Sequence, residues 1–160
     1  MSKRSFTLLI LVLLLTMIIP TLAFGDSHIV QGTLLHTNDF HGRLETDYAG
    51  RGGTPYISDK VNDIRAAVGP ENVLLLDAGD QYFAAPAISQ LLEGMSTIDI
   101  FNMIGYDMAV FGNHEFDKGQ EILMDRVAQS EYPWLGANVV LEGTDWDLPP
   151  YAEPYTFLTV

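Results

Sequence analysis

Three short stretches carry groups that could gather cations and hydrolyse an ester. Asp39 and His41 are spaced by one residue, so a carboxylate and an imidazole can turn toward one ion from an extended turn while Phe40 points the other way, into a core. Asp77 and Asp80 flank Gly79, whose backbone freedom lets the chain bring Asp80 back to the same place, where a carboxylate can bridge two cations. Asn113 offers a neutral oxygen ligand beside His114, and Asp117, three residues on, can hold the other nitrogen of that ring. Two cations a few ångströms apart would lower the pKa of a bridging water, polarise a phosphoryl group and stabilise both oxygens of an in-line displacement.

These groups need a scaffold that delivers all three stretches to one place. Residues 33–37 read as a buried strand followed by a loop over 38–53, so Asp39 and His41 fall just past a strand end. Thr54 and Pro55 suit an N-cap and first turn, and Ile57, Val61, Ile64 and Val68 repeat at helical spacing up to the stop at Gly69-Pro70. A second strand over 73–76 runs into the Asp77–Asp80 turn. Helical stretches over 87–93 and 97–104 follow, the latter with Ser96 as its cap, then a strand over 108–111 that leads into Asn113 and His114. The pattern predicts a helix over 120–129, a fourth strand over 134–139, and a tail with Pro149, Pro150 and Pro154 that leads to a further strand beginning at 155. Strand, helix, strand in alternation predicts an α/β layered fold, and in such folds ligands gather at the carboxyl ends of strands.

Composition narrows the chemistry. The 160 residues are 48% apolar, enough for one core and little more than one domain. The net charge is −13, and −15 without Lys3 and Arg4, which argues against a nucleic-acid partner. A surface this acidic also repels phosphate, so phosphate chemistry would draw its positive charge from bound metal ions. The absence of cysteine excludes disulfides, thiolate metal sites, a thiol nucleophile and a lipid-modified cysteine.

His36-Thr37-Asn38-Asp39-Phe40-His41-Gly42, Asp77-Ala78-Gly79-Asp80 and Gly112-Asn113-His114-Glu115-Phe116-Asp117 resemble the first three motif blocks of the calcineurin-like metallophosphoesterases, and within them the secreted 5'-nucleotidase branch. Gly136-Ala137-Asn138 extends the likeness past the fourth strand. The resemblance implies an α/β/β/α sandwich holding two divalent ions, zinc, manganese or similar. Asp39 and His41 would bind the first, Asp80 would bridge, and Asn113 would bind the second. It also implies that His114 is the catalytic histidine and Asp117 its hydrogen-bond partner. The activity implied is release of phosphate from nucleoside 5'-phosphates through attack of a metal-activated hydroxide. A cyclic phosphodiesterase, a nucleotide-sugar hydrolase and a sulfur-ester hydrolase share the site plan. In that family two further histidines complete the second ion and lie downstream, whereas the histidines here are His28, His36, His41 and His114. The chain therefore reads as the N-terminal part, over 24–160, of a metallophosphoesterase domain, with an inactive metal-binding module as the alternative.

Plainer roles stand beside these. His36 reads as a hydrogen-bonded histidine of the core or one supporting the site from behind, rather than a ligand, and His28 as solvated; Asp77 could ligate or could brace a turn. Glu115 suits a surface or structural role, Asp117 could cap a helix, and Arg43 and Arg51 could meet a phosphate or balance Glu45 and Asp47. Tyr82, Phe83, Tyr132 and Trp134 read as core aromatics. Lys3 and Arg4, the apolar run over 6–19 and Thr21-Leu22-Ala23 read as a signal peptide over 1–23 cleaved after Ala23. The expectation is thus an exported protein, periplasmic, extracellular or at the cell surface. It would have no stable membrane span after cleavage and a small nucleotide or phosphoester as its substrate.

Overall fold

The computed structural model describes residues 30–159, so the signal peptide expected over 1–23 and His28 lie outside the described residues. Strands β1 (Thr33–Thr37), β2 (Val73–Asp77), β3 (Met108–Val110) and β4 (Trp134–Leu135) form one sheet in the order β1-β2-β3-β4, every neighbour parallel. Between them run helices α1 (Thr54–Val68), α2 (Ala87–Gln90), α3 (Met95–Ile104) and α4 (Gln120–Gln129). This is the α/β layering expected from the alternation. Because all four strands run the same way, their carboxyl ends share one edge, and the loops that follow β1, β2 and β3 meet there. The register fixes their height: Thr37 pairs with Asp77, and Asp77 with Ala109.

Burial alternates along β2, where Val73, Leu75 and Asp77 are buried and Leu74 and Leu76 only half-buried. The buried face packs on α1 and α3 through Val61, Ile98, Phe101 and Ile104. Aromatic rings fill the rest: Phe101 and Tyr106 stack at 4.1 Å, and Phe111 and Trp134 at 5.0 Å. Tyr82, Phe83, Tyr132 and Trp134 are all buried in this core, as their positions suggested. Arg65 of α1 donates to the carbonyls of Ile104 and Gly105 at 2.6 Å each, fastening the C-terminal end of α3.

Several boundaries differ from expectation for local reasons. Strand β1 lies at the sheet edge, so Leu34 and His36 are exposed and His36 is no core histidine. Thr54 is not the cap but the first helical residue; Gly53 caps, and the Thr54 hydroxyl donates to the Leu44 carbonyl. Gly94 rather than Ser96 precedes α3, and Ser96 instead donates to the Ile88 carbonyl. Strand β4 ends early because a turn at Gly136 closes on Val139. The tail pairs with β4 through Glu153, a bridge upstream of the strand anticipated at 155, and residues 155–159 carry no strand. Among the described residues no helix is long and apolar enough to cross a membrane.

Candidate metal centre

The loop after β1 does not leave the sheet freely. Its N–H groups at Asp39, His41 and Gly42 donate to the carbonyls of Gly79, Asp80 and Gln81 at 3.0, 2.9 and 2.9 Å, so it runs on beside the loop after β2 as an irregular continuation of the strand pair. Asp39, His41 and Asp80 take left-handed conformations, with φ of 51°, 50° and 56°. Such conformations are uncommon outside glycine, least so for Asp, Asn and His, and they cluster where a side chain must be aimed.

The loops after β2 and β3 touch through their backbones. A Cβ on Gly79 would lie 2.7 Å from the Gly112 nitrogen, and one on Gly112 would collide with the Asp80 carboxylate, so both positions require glycine. The contact brings His41, Asp80 and His114 together, each half-buried, with one potential ligand atom apiece within 4.8 Å of the others. The two imidazoles meet edge to face at 5.1 Å.

Each ring is oriented from behind. His41 Nδ1–H donates to the Phe83 carbonyl at 2.8 Å, and His114 Nδ1–H donates to Asp117 Oδ2 at 2.8 Å. Both rings therefore present Nε2, the arrangement found where histidines bind metal or move protons. Asp117 raises the pKa of His114 above the ordinary value, mainly through this hydrogen bond, against a smaller opposing effect of desolvation. Asp80 Oδ1 accepts the His114 backbone N–H at 2.9 Å, and among the described residues Oδ2 has no hydrogen-bond partner.

The remaining residues sort plainly. Asp39 is exposed, outside the group of three, and its Oδ2 accepts from Asn38. Asn113 heads the short turn His114–Phe116 with its side chain uncommitted to any cap. Asp77 is fully buried; it accepts from the Thr37 hydroxyl at 2.6 Å and the Gly79 N–H at 3.0 Å, so it braces the base of the loop rather than facing the centre. Burial lifts its carboxyl to about 7. Arg51 forms a two-pronged pair with Asp47, so the rim reading holds for it, whereas Arg43 lines a cleft of about 610 Å³ together with Asn38 and Asp39. Sequence reasoning missed the Phe83 carbonyl, which no residue type could betray, and the depth of Glu115, which is fully buried among backbone N–H groups. An acid beside His114 in a tight turn was the one available signal.

The donor set, two imidazoles that present Nε2 and carboxylates that, among the described residues, have no Lys or Arg partner, suits divalent cations. The model of the calcineurin-like phosphoesterase family matches residues 20–154. Bovine 5'-nucleotidase is 39% identical over 140 residues, 80% of this chain and 24% of that protein. Protein UshA of Salmonella pullorum is 33% identical over 144 residues, 89% of this chain and 26% of that one. Among solved structures, NAD nucleotidase of Haemophilus influenzae superposes with a TM-score of 0.65 at 29% identity, covering 81% of this chain and 24% of its own. The chain thus spans about a quarter of the length of the curated relatives it matches. With three strand-end loops converging on His41, Asp80 and His114 and relatives that are nucleotidases, the chain belongs to the calcineurin-like phosphoesterases, a family of metal-dependent enzymes with a layered α/β fold.

Proposed function

We propose that this chain carries the catalytic histidine and part of the metal site of an exported 5'-nucleotidase, a phosphomonoesterase that acts on nucleoside 5'-phosphates. The observation that carries the reading is the convergence of His41, Asp80 and His114 with both Nδ1 atoms already engaged, in a chain 39% identical to a 5'-nucleotidase. Asp39 and His41 would hold one divalent ion, Asn113 another, and Asp80 would serve both. When bound, such a pair lowers the pKa of a coordinated water and neutralises the phosphoryl oxygens, a supply of positive charge that a chain of net −13 lacks.

His114 does the proton work. With Nδ1–H on Asp117, a protonated Nε2 can donate to an equatorial phosphoryl oxygen and then to the leaving ribose oxygen, so that water and the phosphomonoester become nucleoside and phosphate. The Asp117 hydrogen bond raises the His114 pKa and so favours the proton-bearing ring. His41 keeps its Nε2 lone pair for a cation because the Phe83 carbonyl fixes the tautomer. Export rests on the segment over 1–23, and the mass of the secreted protein tests cleavage after Ala23.

Phosphate release from AMP with added manganese or zinc tests the activity. Asp80→Ala should abolish it, and undiminished release by that variant refutes the assignment. Calorimetry on the isolated chain counts its ions: two bound ions mark a two-metal site, and at most one weakly bound ion marks a half-site or a one-ion module.

A further inference from the structure

Glu115 is the most deeply buried carboxylate near the centre, with no exposed surface, and among the described residues it forms no ion pair. Its Oε2 accepts the N–H groups of Asp80 at 3.0 Å and Gly112 at 2.7 Å, and its Oε1 accepts that of Gln81 at 2.7 Å. Two of these donors lie in the loop after β2 and the third in the loop after β3, so one side chain bridges the backbone contact that Gly79 and Gly112 permit. The bonding is also reciprocal. Asp80 Oδ1 accepts the N–H of His114, while Glu115 accepts the N–H of Asp80, the same logic by which a capping box locks two segments.

We propose that Glu115 is a positioning residue, holding Asp80 in its left-handed turn so that Oδ2 is aimed at the cation site before any ion arrives; this rests on the metal-centre reading above. Only a carboxylate can accept at both ends. A glutamine of the same shape would turn its NH₂ against at least one backbone N–H, and no rotation of the amide relieves it. For the fold alone, a carboxylate with no exposed surface beside Asp80 and, among the described residues, without a basic partner is a poor choice, because only three backbone N–H groups offset its lost hydration. What the carboxylate secures is the direction of the Asp80 peptide, and Asp80 at φ 56° would otherwise relax toward the ordinary right-handed or extended regions.

The test is Mn²⁺ titration of the full 160-residue chain by calorimetry, alongside circular dichroism to fix the folded fraction. Glu115→Gln and Glu115→Asp, the second keeping the charge but shortening its reach, are each expected to bind Mn²⁺ at least tenfold more weakly per folded molecule. Ile98→Ala, a cavity at a buried residue of α3 whose side chain takes no part in the hydrogen bonds between the loops, lowers stability but is expected to leave affinity per folded molecule unchanged. If Glu115→Gln does not fold, Glu115→Asp decides the matter by itself. Wild-type affinity in a folded Glu115 variant, or an equal loss in Ile98→Ala, overturns the proposal. Failure of the wild-type chain to bind Mn²⁺ at all would instead bring down the metal-centre reading, and this proposal with it.

Discussion

Asp77 should make the chain lose stability as pH rises, and Asp77→Asn should remove that loss. The carboxyl is 1% exposed at the end of β2, and desolvation lifts it from the ordinary 3.8 to about 7, against the stabilising hydrogen bonds from Thr37 and Gly79. A raised folded-state pKa means that the folded chain holds the proton more tightly than the unfolded chain. The associated stability is fully present below pH 3.8 and is lost as pH climbs through about 7. At about 1.4 kcal/mol for each tenfold change in proton affinity, the loss is about 4 kcal/mol, an upper figure because buried sites relax. Asparagine keeps the shape: Oδ1 can still accept from Gly79, and Nδ2 can donate to Thr37 Oγ1, whose hydroxyl then turns to the Tyr106 hydroxyl 3.0 Å away. The assay is urea denaturation of wild type and variant from pH 4 to pH 8 in EDTA, since a bound cation would hold Asp77 ionised. Glu115 shifts in the same direction, so the measurement is the difference between the two chains rather than either slope alone. Stability curves that run parallel across this range would refute the reasoning; a gap that widens by several kcal/mol toward alkaline pH supports it.

Three further outcomes follow from the geometry. Asp117→Asn should lower the His114 pKa, read by NMR titration of the metal-free chain, and cut phosphate release about 10- to 100-fold, as removal of a histidine's carboxylate partner typically does; an unmoved His114 titration contradicts it. Gly112→Ala would set a methyl against the Asp80 carboxylate and 2.5 Å from its backbone nitrogen, costing about 1–3 kcal/mol in thermal unfolding and most of the Mn²⁺ affinity. Arg65→Ala removes a cation that donates to two carbonyls at the end of α3, and should cost about 2–3 kcal/mol while phosphate release by the folded protein stays unchanged.

What the sequence made legible was whatever local chemistry decides. Helix α1 over 54–68 follows from four apolar residues at helical spacing and a Gly-Pro stop, and α4 over 120–129 from the same periodicity. The strand-end positions of Asp39, Asp80 and His114 were readable because each follows an apolar run of strand length. Long-range partners decided the rest. His36 alternates as a strand residue should, but nothing in its neighbours says that β1 lies at the sheet edge. Asp77 could ligate or brace until Thr37, forty residues away, was seen to donate to it. Glu115 could be a surface or a structural acid, and nothing local decides between them, because its acceptor role is toward backbone N–H groups up to 35 residues distant, which carry no side-chain signature.

Motif spacing alone also hides how the centre is held rigid. Three left-handed residues at Asp39, His41 and Asp80 cost about 1–2 kcal/mol each, several kcal/mol in all, a sizeable fraction of the stability of a domain this size. They persist because the surrounding bonds leave no alternative path. The first loop is hydrogen-bonded to the second at Gly79, Asp80 and Gln81, and the second is joined to the third through Glu115 and the Asp80–His114 contact. Aspartate and histidine are also the ligand types that tolerate this conformation best after glycine and asparagine. The same residue choices thus serve two ends, supplying oxygen and imidazole donors and accepting the backbone turn that aims them. A β-branched residue at any of the three positions should therefore disturb the loop as well as delete a donor. Equal stability of His41→Ala and His41→Val would contradict that, since both remove the imidazole and only valine adds branching to a left-handed site.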